Sequence, residues 1–231
     1  MATKKQAHKA REGDCISIWS RPDGQHEVIR IAREIRFGWW HLQAARFLVK
    51  ESNRKGMIKA EQFACVSGAI VMSWCLLEAL LHEFTHKHSR SSSSPLDDAH
   101  QQIIWTINRE GLTAKNANSL EQFNMYLRII DTAEIFPGSD LYQSANLVRE
   151  LRNRLVHPVP ESFVEFDKNA ECVDEHKMIV KLRSRLHLAQ GAVFPKDVMT
   201  PNTAKWALES VIRFLEEFER RSKVSFGLSL R

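Results

Sequence analysis

The chain has no stretch of about 18 or more uncharged apolar residues, so no membrane-spanning helix is expected. Its longest apolar segment, Phe63 to Leu81, is interrupted by Ser67, Gly68, Ser73 and Glu78. The first residues, MATKKQAHKAREGD, are basic but contain neither an apolar core nor a cleavage site, and do not read as a secretory signal. Cysteine is scarce. Cys15, Cys65, Cys75 and Cys172 form no CxxC pair, and Cys65 and Cys75 fall ten residues apart on one expected helix, too far to bridge within it. All four are read as reduced thiols of a cytoplasmic protein. No internal repeat is visible.

What is present is an ordinary globular composition, 43% hydrophobic and 26% charged over 231 residues, enough for a core without covalent staples. The formal charge is +5, which permits a polyanionic partner without requiring one. Residues 1–25 read as a polar arm with a turn at Arg21-Pro22-Asp23-Gly24. Residues 26–225 read as one helical domain. Its first helix is expected over His26–Asn53, where Ile31, Ile35, Trp39, Leu42 and Val49 roughly follow the 3.6 period. A long second helix over Lys59–His86 repeats Phe63, Val66, Ile70, Trp74, Leu77, Leu81 and Phe84, with small residues from Ala64 to Ser73 that allow close helix approach. The segment SRSSSSP (89–95) breaks the pattern. Further helices are expected over Leu96–Glu110, Ser119–Ala133, Leu141–Val156 and from Thr200-Pro201 to near Lys223. Residues 159–198 form an inserted segment before the last helix, and alternation in SFVEFD and HKMIVKLRSRLHL points to a small β-hairpin there. The fold class is therefore mainly all-α, a helical bundle with additions.

One constellation carries chemistry. VRELRNRLVHP (148–158) places Arg152, Asn153 and His157 at the end of a helix that Pro158 terminates. Arg21–His26 and Arg36–His41 share the Arg-x4-His spacing, but neither has Asn after the Arg or ends at a Pro. Asn153 and His157 are i, i+4 on one face, Arg149 extends that row, and Arg152 can swing toward the same end. A His at the negative end of a helix beside a guanidinium suits a phosphodiester, with Arg holding oxygens and His moving a proton.

LRNRLVHP resembles the signature of the HEPN superfamily, Arg-x4–6-His with a polar residue after the Arg. SGAIVMSWCLLEALLHEF (67–84) is similar to the long second helix of such domains, and TAKWALESVIRFLEEF (203–218) to their closing helix. The resemblance runs over about residues 30–220 and implies a four-helix-bundle core. It also implies a metal-independent ribonuclease without cofactor, whose two subunits pair so that both motifs face one cleft. RNA is then the substrate, a homodimer the working form, and an antitoxin or nucleotidyltransferase a candidate partner in a defence, toxin or stress system. Carried over, His157 moves the proton of the 2′-hydroxyl or the leaving 5′-oxygen, Arg152 stabilises the phosphorane, and Asn153 positions phosphate or imidazole. Some members only bind nucleotide, RNA or protein, which is the alternative reading.

A third reading comes from His82-Glu83-Phe84-Thr85-His86, an HExxH that would place His82 and His86 on one helix face as zinc ligands. Position 89 is Ser rather than the Gly of a longer zinc signature, Lys87 opposes a cation, and a third ligand is unmarked, Glu110 and Glu121 being options. Glu78 interrupts the most apolar helix and either faces solvent or pairs across the bundle with Arg149 or Arg152. Trp39 and Trp40, with Trp19, Trp74, Trp105 and Trp206, are either core or a surface on which bases stack.

Overall fold

The computed structural model describes residues 14–19, 28–33, 36–89, 101–104, 118–157, 177–228 and 230. Two compact units divide the chain, Met1–Phe37 and Gly38–Arg231.

The first unit holds an antiparallel hairpin of β1 (Asp14–Trp19) and β2 (Val28–Arg33). Its register sets Ile16 opposite Ile31 and Ile18 opposite Ile29. This corrects two expectations: residues 14–19 are strand rather than polar arm, and the helix expected from His26 does not begin there. Isoleucines at every second position match the pleat period, and β-branched side chains favour it over a helix. The helical pattern had rested on Ile31 and Ile35, which a strand also accommodates. The turn expected at 21–24 lies outside the described residues.

The second unit is helical. It contains α1 (Phe37–Ser52), α2 (Lys59–Ser89), a helical turn at 101–104, α3 (Ser119–Ile129), α4 (Asp140–Val156), α5 (Lys177–Leu186) and α6 (Pro201–Ser222). Helices α2, α3, α4 and α6 each pack on the other three, which makes a four-helix core. Helix α1 lies along α2, and α5 packs on α4 and α6. The bundle expected from the helical periodicities is thus present, with extra helices. The hairpin expected in the insertion is not found at 177–186, which is α-helix; Met178, Ile179 and Leu182 are buried and spaced i, i+1, i+4, a helical stripe. SFVEFD lies outside the described residues, as does most of the helix expected over 96–110.

Helix α2 is central. Val66, Ala69, Ile70, Trp74, Leu76, Leu77, Leu80, Leu81 and Phe84 are all buried, more than one stripe of its surface. Among the described residues it alone has the length and apolarity to cross a membrane. Those apolar side chains are the bundle's own core, which accounts for the composition without a bilayer. Small residues set the approach of α1. A Cβ on Gly68 would stand 3.0 Å from Leu48, and one on Gly38 would stand 2.5 Å from Leu80. Gly38, which costs helix propensity, is therefore required by contact. Its N–H donates to Glu83 Oε1 at 2.8 Å, anchoring the start of α1.

At one end of the core, Phe84, Phe123, Tyr126, Phe214 and Phe218 meet edge-on or tilted, with Phe123 and Phe218 centroids 4.7 Å apart. Helix starts follow their capping residues. Asn118 and Glu121 form a reciprocal capping box on α3, Ser139 caps α4, and Thr200 caps α6 ahead of Pro201. The α3–α4 connection is pinned by buried Asn124, whose amide both donates to and accepts from the backbone of Ile135 at 2.8 Å. Arg221 of α6 donates to the carbonyls of Ala133 and Glu134 in the same connection. Cys65 and Cys75 are free thiols.

Candidate functional site

The distinctive motif occupies the last turn of α4. The helix runs to Val156, and His157 leaves it at φ −124°, ψ 67° while its N–H still donates to the Asn153 carbonyl at 2.8 Å. That departure agrees with the restriction Pro158 places on the residue before it. His157 is exposed, and its ring makes no hydrogen bond or ion pair with any described residue.

Arg152 points elsewhere than expected. Rather than swinging toward the helix end, it reaches sideways from α4 to α2. Its Nη1 donates to Asn153 Oδ1 at 3.0 Å and its Nη2 stands 3.9 Å from Glu78 Oε2. Glu78 Oε1 accepts from Trp74 Nε1–H at 2.7 Å. A chain therefore runs Trp74, Glu78, Arg152, Asn153, joining the buried face of α2 to the exposed face of α4. The Arg152 side chain is 24% exposed, and its Nε is buried without a hydrogen-bond partner. Cys75, one turn before Glu78, borders the same group: burial and then the Glu78 charge push its thiol up, while Arg152 acts against them. Of the two pairings considered for Glu78 across the bundle, the one with Arg152 is formed. Arg149 instead lies where its charge acts on the Tyr142 hydroxyl, and its Nε too is buried without a partner.

The structure brings Arg152 and Asn153 into contact and leaves the His157 ring on the surface, without a hydrogen bond to either. Within one chain the arrangement can hold a guanidinium against an anion at the α2–α4 edge. It also presents an imidazole to solvent at the end of the same helix. Sequence reading named Glu78 as a carboxylate in need of a partner, but it missed Trp74 as the donor that orients that carboxylate. The i, i+4 spacing of Trp74 and Glu78 was the available signal.

The HExxH residues are arranged differently from a metal centre. His82 and His86 are exposed, and the Glu83 carboxylate accepts the Gly38 N–H, a structural role at the start of α1. Glu121, considered as a third ligand, closes the capping box of α3, and Glu110 lies outside the described residues. Among the described residues no group of three or more His, Cys, Asp or Glu is placed to hold a metal ion. Of the tryptophans, Trp74 is core, whereas Trp39 and Trp40 are exposed and meet edge-on at 4.6 Å. Compared with models of protein families, with curated proteins and with solved structures, the chain matches none.

Proposed function

We propose that the protein is a metal-independent endoribonuclease of HEPN type, acting as a homodimer on RNA in a defence, toxin or stress system. The observation that carries the reading is the end of α4: an exposed His157 one turn beyond an Arg152 that Glu78 and Asn153 hold in place. Two further features support it. The helices on which the resemblance rests, α2 and α6, belong to the four-helix core beside α4, and the chain carries a net positive charge. No hydrogen bond joins the His157 ring to Arg152 within one chain, and in this reading a second subunit supplies the missing partner. It brings a second motif to the same phosphodiester, so that an imidazole and a guanidinium from different chains act on one phosphate.

In that reaction a His157 ring takes the proton of the ribose 2′-hydroxyl as its oxygen attacks phosphorus, and an imidazolium returns a proton to the departing 5′-oxygen. Arg152 holds the equatorial oxygens as negative charge builds, a fixed donor in a partly dry place. The products are a 2′,3′-cyclic phosphate and a 5′-hydroxyl. RNA incubated with the protein in EDTA is expected to be cut to such ends, DNA to be left intact, and His157→Ala to be inactive. Undiminished cleavage by His157→Ala, or loss of cleavage in EDTA, would overturn the reading. RNA binding without cleavage by the wild type would favour the non-catalytic binding module.

A further inference from the structure

Helix α1 sorts its apolar side chains by type. At about 100° per residue, Gly38, Leu42, Ala45 and Val49 share the arc turned to the bundle. Trp39, Trp40, Gln43, Phe47 and Lys50 share the opposite arc. The aliphatic groups are thus inside and the aromatic ones outside: Leu42 is 1% exposed, whereas Trp39, Trp40 and Phe47 are 43%, 60% and 59% exposed. Burying one aromatic ring removes about 150–250 Å² from water, so a helix that served the core alone would turn these rings inward. Trp39 and Trp40 meet at 83°, an edge contact that steadies both outside the core. Charge follows at the C-terminal end of the same helix. From Gly38 to Phe63 the chain has five Lys or Arg and two Glu. Both acids lie within reach of Arg54, Glu51 at 3.5 Å and Glu61 at 3.9 Å, and Glu83 beside the start of α1 accepts the Gly38 N–H. Lys50, Lys55 and Lys59 are exposed and make no ion pair among the described residues.

We propose that the outer face of α1 is a platform for the unpaired bases of single-stranded RNA, with Trp39, Trp40 and Phe47 meeting base faces and Lys50, Lys55 and Lys59 meeting phosphates. The proposal rests on the ribonuclease reading for the identity of the nucleic acid. It adds the form of the substrate: a single strand, whose bases are open to aromatic rings, rather than a duplex, whose bases stack on one another. Stacking accepts any base, since every base has a π-face, and the lysines make binding fall with salt. The make-up of the face favours this occupant over a bilayer or a second copy. Acyl chains and protein cores take Leu and Val as readily as Trp, and on α1 those residues point inward, while the polar Gln43 stands among the rings.

The test uses full-length His157→Ala protein, so that binding is read apart from cleavage. The probe is a fluorescein-labelled, unstructured 20-nucleotide RNA followed by anisotropy. Trp40→Ala is expected to weaken binding roughly tenfold, the loss of about one stacked base, and Trp40→Phe to restore most of it. Val180→Ala, an exposed apolar change on α5, is expected to shift the Kd less than twofold. An abasic strand of the same length and charge is expected to bind weakly and to ignore Trp40→Ala. Equal binding of intact and abasic strands, equal binding of a duplex, or an unchanged Kd in Trp40→Ala would overturn the platform. So would a Trp40→Ala protein that keeps its RNA affinity but leaves phosphatidylserine vesicles, or falls from dimer to monomer, which would give the face to a lipid surface or a second copy. Should Trp40→Ala not fold by circular dichroism, photocrosslinking of a 5-iodouridine RNA to the His157→Ala protein decides. Crosslinks within 39–47 support the platform, and crosslinks confined elsewhere sink it. The two readings fail separately. Single-strand binding that needs Trp40, without any wild-type cleavage, removes the nuclease and keeps the platform, while cleavage of limiting RNA unaffected by Trp40→Ala does the reverse.

Discussion

Glu78 is the residue on which the geometry of the candidate site turns. Its two oxygens serve different neighbours, Trp74 at 2.7 Å and Arg152 at 3.9 Å, so the indole aligns the carboxylate and the carboxylate steadies the guanidinium. Glu78→Gln keeps an oxygen for the indole and removes the charge that faces Arg152. Cleavage by this variant is expected to fall about tenfold in kcat with little change in KM, the mark of an interaction felt in the transition state. Its thermal stability is expected to move by less than about 1 kcal/mol, since a pair this long and partly solvated contributes little. A loss of several kcal/mol without a loss of kcat would show a purely structural role. Glu217 supplies a pH signature elsewhere. Its bond with Arg220, aided by Arg221, brings its carboxyl down to about 2. A carboxyl lowered on folding adds stability above its ordinary range near 4.5, and that contribution is lost as pH falls from there toward 2. Urea melts between pH 5 and 2.5 are expected to show Glu217→Gln losing roughly 1 kcal/mol less than the wild type. At this scale the motif was legible through Asn153 and Pro158. A pairing of Glu78 with Arg149 or Arg152 was among the options, but the choice depends on where a carboxylate 74 residues before Arg152 comes to rest.

Among the elements, the α3–α4 connection shows how a short helix is kept in register. Asn124 replaces two backbone partners for Ile135 inside the core, and Arg221 closes the same connection from α6. Asn124→Ala strands a buried N–H and a buried carbonyl and is expected to cost about 2–4 kcal/mol, read as a shift in the denaturant midpoint at unchanged slope. Helices with strong apolar periods and capping signals were legible almost to their ends: α2, α4 and α6 begin and stop close to where Lys59, Ser139, Thr200-Pro201 and Lys223 suggested. Two of the failures share a cause. Segments 28–33 and 177–186 are short and rich in both β-branched and charged residues, so either period fits, and only pairing with β1 in one case and burial of Met178, Ile179 and Leu182 in the other decides.

For the whole molecule, the four-helix core could be anticipated because amphipathic stripes on long helices leave few other ways to bury them. A pairing of subunits is expected only through the family resemblance, since the residues that would meet across a dimer satisfy no pattern within one chain. The ribonuclease reading demands such pairing. Sedimentation at micromolar concentration is expected to give about twice the 26.7 kDa chain mass. Mixing inactive Arg152→Ala with inactive His157→Ala is expected to restore part of the activity if one subunit's His serves the other's Arg. A strictly monomeric, active enzyme would exclude the arrangement. The ion pairs between α5 and α4 carry a last implication. By engaging Asp140 and Glu150, the inserted helix masks the only negative charges on α4. Excising 159–198, which holds six Lys or Arg and seven Asp or Glu, would leave the net charge almost unchanged yet unveil the two carboxylates of α4. The shortened protein should then elute from a cation exchanger close to the full-length chain while losing the two ion pairs that hold α5 on α4.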